Sequence, residues 1–181
     1  SELEAARLQA EWPQARVVHR LDMATSGLML MARGANHQRA LNDAFAARTV
    51  YKTYTAVVDG LLEVPDAGWQ EISLAISADW PNRPLRIIDA VRGKPSVTRW
   101  RVLGQDAVSG TTRVILEPRT GRSHQLRVHM KAIGHPIIGD ALYAPTHIAA
   151  KSLRLLLHAT RLELTHPKTA KPLTFSSQPP F

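Results

Sequence analysis

The sequence has no cysteine. That absence removes disulfide frameworks, thiol nucleophiles and Cys-ligated zinc or iron–sulfur centres together. It also suits a reducing cytoplasm, the expected compartment. No stretch approaches the ~18 consecutive apolar residues of a membrane-spanning helix. No long basic amphipathic helix stands out either, so no membrane partner is expected. Residues 1–14 are acidic and polar and do not read as a signal peptide. Neither Gly-x-Gly-x-x-Gly nor a Walker-type phosphate loop occurs, so nucleotide cofactors have no cradle. The 8 histidines show no convincing ligand spacing: His124 and His129, five apart on a predicted helix, fall on different faces, and no metal site is expected. Internal repeats, low-complexity linkers and heptads are also missing.

What remains is a chain of 181 residues, 44% hydrophobic and 21% charged, the size and composition of one domain with its own core. Lys and Arg number 23 against 15 Asp and Glu, a net charge of +8. Residues 1–80 carry 7 basic and 10 acidic side chains, whereas residues 81–131 carry 11 and 3. Arginine outnumbers lysine 17 to 6. Its planar fork binds phosphate bidentately and stacks on bases, so a clustered arginine excess points to a polyanion, with nucleic acid foremost. A soluble protein with solvated charges fits the same composition.

Periodicity and turn chemistry predict a helix over residues 3–12, stopped by Pro13, and β-like runs at 17–21 and 28–32. Residues 36–48 read as a helix with Leu41 and Phe45 on one face. Strands follow over 51–58, 69–76, 85–91, 96–103 and 111–116, with the doubly prolyl segment 79–84 as a loop. Ser123 is the expected cap of a helix over 124–133 that Gly134 ends. Residues 135–143 are irregular. The range 153–164 is an apolar strand or pair of strands, and 173–176 a last one. Runs of strands with few helices predict an α+β domain built on a mixed, mostly antiparallel sheet around a central cleft. Met23, Met29 and Met31 read as core packing. Gly27 and Gly121 read as backbone requirements.

Two polar clusters carry chemistry. In His19-Arg20-Leu21-Asp22, followed by Met23-Ala24-Thr25-Ser26-Gly27, a carboxylate at a strand-to-turn junction projects into a cleft or closes an Asx turn on Ala24 or Thr25. The first residues of the cluster resemble the kinase catalytic loop, but in the wrong order and without any companion motif. The second cluster, Arg119 to Arg127, is a basic turn leading into a helix N-terminus: an anion site, or a cap with solvated arginines.

Taken in order, these segments resemble the RluA-type pseudouridine synthase family. His19-Arg20-Leu21-Asp22 with its turn is similar to the family's catalytic motif. Tyr51-Lys52-Thr53-Tyr54 is similar to the strand bearing the active-site tyrosine, and the segment from Leu116 to His129 to the third motif. Gly134-His135-Pro136-Ile137-Ile138-Gly139-Asp140 to Tyr143 and Leu157-His158-Ala159 match further family segments. The loop at 79–84 resembles the branch acting on large-subunit ribosomal RNA and tRNA. The resemblance covers nearly the whole chain. The family's usual upstream Asn-Lys-Pro-like segment is not in the sequence, so residues 1–181 are expected to be one catalytic domain that begins partway in.

The resemblance implies isomerisation of uridine to pseudouridine in RNA without a cofactor. Asp22 is the implied essential carboxylate, attacking C1′ or removing a sugar proton to give a glycal. It further implies that Arg127 partners Asp22, that Tyr54 stacks on the target base and serves a later proton transfer, and that Arg20 fills the space a flipped base vacates. Arg122, His124 and the run 83–101 are implied phosphate contacts. A monomer is expected. Two rivals stand beside this reading: a non-catalytic RNA-binding module using the basic face of residues 83–131, and a hydrolase pairing Asp22 with His19 or His158.

Overall fold

The computed structural model describes residues 2–64 and 68–181. The chain opens with helix α1 (Glu2–Glu11) and strand β1 (Ala15–Val17), then β2 (Ser26–Gly27), β3 (Met31–Arg33) and helix α2 (Ala35–Ala46). Strands β4 (Tyr51–Asp59), β5 (Gln70–Ser73), β6 (Ile76–Ala78), β7 (Arg86–Ile88), β8 (Val97–Asp106) and β9 (Thr111–Pro118) follow. Helices α3 (Gln125–Ala132) and α4 (Thr146–Ala149) precede β10 (Leu157–Thr165) and β11 (Pro172–Ser176).

The main sheet runs β11-β10-β4-β9-β8-β5, with every neighbour antiparallel, and β2 joins β10 in parallel. Two small antiparallel pairs, β1-β3 and β6-β7, flank it. The predicted mixed, mostly antiparallel α+β architecture is the one observed. Among the described residues no helix is long and apolar enough to cross a membrane.

The period-2 rule builds the centre of the sheet: Thr112, Val114 and Leu116 of β9 are buried while the residues between them are more open. With Ala56 and Val58 of β4 they pack beneath Leu126 and Met130 of α3, Ile137 and Leu157. A second core holds Leu41 of α2 against Ala32, Val50, Leu162 and Leu164. Each full burial of such a side chain contributes about 1.5–3 kcal/mol. The β2–β10 pairing explains Gly27, whose φ is 107° and where a Cβ would collide with the Ala159 backbone.

Several boundaries differ from the sequence reading. The run 17–21 is strand only to Val17; beyond it the chain leaves the sheet and carries Asp22 to the cleft. The run 69–76 is split, because the Ala75 backbone turns aside to receive Asp89 N–H at 3.0 Å. Ser123 is not a cap. His124 occupies the N-cap in a left-handed conformation (φ 57°) with no side-chain cap bond. The Gln125 side chain fastens the turn instead, accepting from Arg122 N–H at 3.0 Å and from the Thr120 hydroxyl at 2.8 Å while donating to Val97 O at 3.0 Å. Gly134 does end the helix. It donates to Lys131 O at 3.0 Å, and His135 donates to Met130 O at 2.9 Å, the paired bonds of a Schellman motif. Met23 is 94% exposed, so it is not core. Gly121 has no positive φ and no backbone crowding.

Candidate active site

Asp22 stands where β1 has ended and a turn begins, with Thr25 N–H donating to its main-chain oxygen at 2.9 Å. The carboxylate itself accepts no backbone hydrogen bond among the described residues, so the Asx-turn reading does not hold. Its neighbours are cationic or N–H donors: Arg127 Nη1 lies 3.8 Å from one oxygen and His124 Nε2 4.0 Å from the other.

Arg127 is aimed from the buried side of α3. Its Nε and Nη2 grip the two Asp140 oxygens at 2.8 and 2.6 Å. The Asp140 carboxylate is wholly buried and also accepts Leu142 and Tyr143 N–H at 3.0 and 3.1 Å. Burial works against the Arg127 charge, but the bonds and charge of Asp140, with Asp22 behind them, more than offset it and hold the pKa above the ordinary arginine value. Arg127 is thus both readings at once: the buried half of a structural ion pair and the cation beside Asp22.

Tyr143 connects the next layer. Its hydroxyl accepts from Arg86 N–H at 3.0 Å and lies 2.6 Å from His124 Nδ1. Burial first, and then the Arg127 and Arg86 charges, hold the His124 pKa below its usual value against the pull of Asp22 and Asp140, so the imidazole is neutral at pH 7. A neutral ring that receives the Tyr143 hydroxyl proton at Nδ1 carries its own hydrogen on Nε2, facing Asp22. Tyr54, buried in the middle of β4, forms the floor beside Asp22. Burial and the Asp22 charge push its pKa up to about 12, which keeps the phenol protonated at neutral pH.

Arg20, Asp22, Tyr54, Arg122 and His124 line one pocket of about 130 Å³. It opens on one side into an 830 Å³ groove that Arg86 and Arg127 also line, and on the other into a 420 Å³ cavity beyond Lys52. All six sequence-predicted residues therefore border one continuous cleft. The run 83–101 divides. Pro84 and Arg86 border the cleft, whereas Arg99 pairs with Glu117 at 3.4 Å and, with Arg101, lies on Trp69. Trp80 anchors nothing in the core: it is 69% exposed, with the Arg83 guanidinium 3.6 Å from its ring centroid.

Asp140, Tyr143 and Lys52 are functional neighbours that sequence reasoning did not single out, although each lies in a quoted motif. Arg86 is covered only as part of the run 83–101, and the structure distinguishes it from Arg99 and Arg101 by placing it on the cleft. The hydrolase pairing fails. His19 Nε2 accepts Leu30 N–H at 2.8 Å and its pKa is lowered to about 4 by burial and then by Lys52. His158 is held between the Ser26 and Ser177 hydroxyls at 2.9 and 3.0 Å.

The family model described as RNA pseudouridylate synthase matches residues 2–132. The dual-specificity RNA pseudouridine synthase RluA of Vibrio parahaemolyticus is 48% identical over 167 residues, spanning 91% of this chain and 66% of that protein. Its Escherichia coli K12 counterpart is 45% identical over 175 residues, 97% of this chain and 78% of that protein. Among solved structures, human RNA pseudouridylate synthase domain containing 1 superposes with a TM-score of 0.81 at 32% identity, covering 97% of this chain and 73% of that one.

Proposed function

The chain belongs to the RNA pseudouridylate synthase family, and from that premise we propose that it isomerises uridine to pseudouridine in structured RNA, with large-subunit ribosomal RNA and tRNA as substrates and Asp22 as the essential carboxylate. The observation that carries this reading is the setting of Asp22: a carboxylate with no backbone partner among the described residues, at the mouth of a narrow pocket, flanked by Arg127 and the His124 N–H and floored by Tyr54. A face that merely bound RNA gains nothing from a negative charge there, so the non-catalytic alternative has no support.

A uridine inside a stack cannot reach Asp22; it is flipped out at a cost of a few kcal/mol. Arg20, exposed on the rim, takes the vacated space. The base rests on Tyr54. The N1–C1′ bond then breaks and a C5–C1′ bond forms, C5 gives up its proton and N1 gains one, so the change is an isomerisation that needs no oxidant, reductant or cofactor. Asp22 acts either by attack on C1′ or by removing a sugar proton to give the glycal, and Arg127 partners its charge in both. The protonated Tyr54 phenol supports the base while water in the open groove accepts the C5 proton. Arg122 and Arg86 flank the groove where phosphates pass. Action as a monomer is part of the same proposal.

Tritium release from RNA labelled at uridine C5 tests the reading. The parent chain releases tritium from unmodified large-subunit ribosomal RNA or tRNA. Absence of release from either RNA, with RNA still bound, would contradict it.

A further inference from the structure

The 420 Å³ cavity beyond Lys52 has no part in the chemistry above. It is bordered by Phe45 in the last turn of α2, Arg48 after it, Tyr51 and Lys52 of β4, and Arg119 and Arg122 of the turn before α3. Lys52 stands on the wall shared with the Asp22 pocket, two residues before Tyr54 and hence on the same face of β4.

Its ammonium has no anionic or hydrogen-bonding partner among the described residues. What it meets is the Phe45 ring, 5.5 Å away at the centroid, and the open side of Gly121, where a Cβ would still lie 4.0 Å from Nζ. Burial without a counter-charge pulls its pKa below the usual lysine value, a cost that an arriving anion reverses. The one carboxylate on the cavity wall, Glu117, is already engaged by Arg119 at 2.6 Å and Arg99 at 3.4 Å.

Arg48 supplies an independent observation. It follows the last turn of α2 at φ 58°; it donates to Phe45 O at 3.2 Å, and Thr49 donates to Ala44 O at 3.0 Å. This is the same left-handed closing position that Gly134 fills after α3. A side chain is disfavoured there. An arginine at a position that favours glycine, on the wall of a cavity with an unpaired lysine, places backbone strain beside open volume.

We propose that this cavity is a second nucleotide subsite, which takes the nucleotide next to the target uridine, with Lys52 binding the phosphodiester between the two and Arg48 the far side of the neighbour. The assignment rests on the reading of the cleft as an RNA site. Tyr51, 52% exposed and 6.0 Å from the Arg119 guanidinium, offers the neighbour's base a stacking face.

Fluorescein-labelled hexauridylate, titrated against the full chain over a range of salt, tests the subsite without turnover. Lys52→Gln weakens binding about tenfold, the worth of a charged hydrogen bond, and reduces the slope of log K against log salt by about 0.7. Lys52→Arg keeps the slope. Lys168→Gln, an equal charge loss on an exposed turn away from the cleft, leaves both unchanged. Arg48→Gly weakens binding yet raises the melting temperature by about 2–4 °C, since it relieves the backbone. A Lys52→Gln variant that binds with parental affinity and slope overturns the proposal, as does a loss matched by Lys168→Gln. If Lys52→Gln does not fold, a single neutral methylphosphonate walked along the hexauridylate decides on the parent chain: one position costs about tenfold and the others little, whereas an equal small loss at every position overturns the proposal. Failure of the isomerase reading would appear separately, as parent chain that binds hexauridylate through Lys52 but releases no tritium from C5-labelled RNA.

Discussion

The two ends of the cleft are built on opposite terms. Around Asp22 the inner groups hold one another: Arg127 is clamped by Asp140, Asp140 is closed off by the Leu142 and Tyr143 N–H groups, and Tyr143 fixes the His124 ring. At the other end, Lys52, Arg48 and Arg122 face open volume with no ion pair among the described residues. A preorganised constellation suits a step in which charge develops at a fixed point. Unpaired cations on a cavity wall suit a polyanion that supplies the missing charge on arrival. The comparison thus separates residues expected to govern the chemical step from residues expected to govern affinity.

The sharpest break is at Asp22. Asp22→Asn keeps shape and removes the carboxylate, so tritium release falls about 10⁴-fold or more while RNA affinity, measured by filter binding, stays or rises. Asp140→Asn comes next, because it leaves Arg127 buried with half its partner gone. Urea unfolding is expected to show a loss of about 3–5 kcal/mol, and Asp140→Ala no less.

Acid titration probes the other end. The His19 pKa is lowered to about 4 from 6.5, so the unfolded chain binds the proton more tightly. The stability this neutral ring contributes is complete above pH 6.5 and is lost as pH falls toward 4. At most it is on the order of 3 kcal/mol. Because Lys52 is the second cause of the shift, Lys52→Gln raises the His19 pKa and narrows that window, which NMR titration of the ring reads directly. The smallest effect is expected in the turn joining the two ends. Gln125→Ala strands its partners and costs about 1–3 kcal/mol, whereas Ser123→Ala changes the unfolding free energy by no more than about 0.5 kcal/mol, both read by urea unfolding.

Much of this was legible in the residues. Alternation in β9 and the aromatic and β-branched run of β4 announced the sheet, and the ordered motifs brought Asp22, Tyr54, His124 and Arg127 to one place. The misreadings have physical sources. Asp140 looks like a surface carboxylate until folding carries Arg127 onto it, since a partner thirteen positions away leaves no periodic trace. Ser123 satisfies every local rule for a cap, yet the Gln125 side chain reaches Val97 on another strand and outcompetes it. Met23 has core chemistry but sits on a turn that the site needs exposed. Arg48 gives no hint in sequence of a left-handed conformation, because the cue for that position is glycine. Local chemistry therefore marked two polar clusters and the family resemblance the residues within and beside them, while the contacts that hold or strain them came from tertiary structure.

The central claim is that Asp22 performs the isomerisation in a cleft that binds RNA through other groups. Single-turnover tritium release from C5-labelled RNA, with the parent chain and Asp22→Asn each at saturating concentration, tests it most directly. The account predicts release by the parent and none by Asp22→Asn despite full RNA binding. Equal release by both proteins would contradict it.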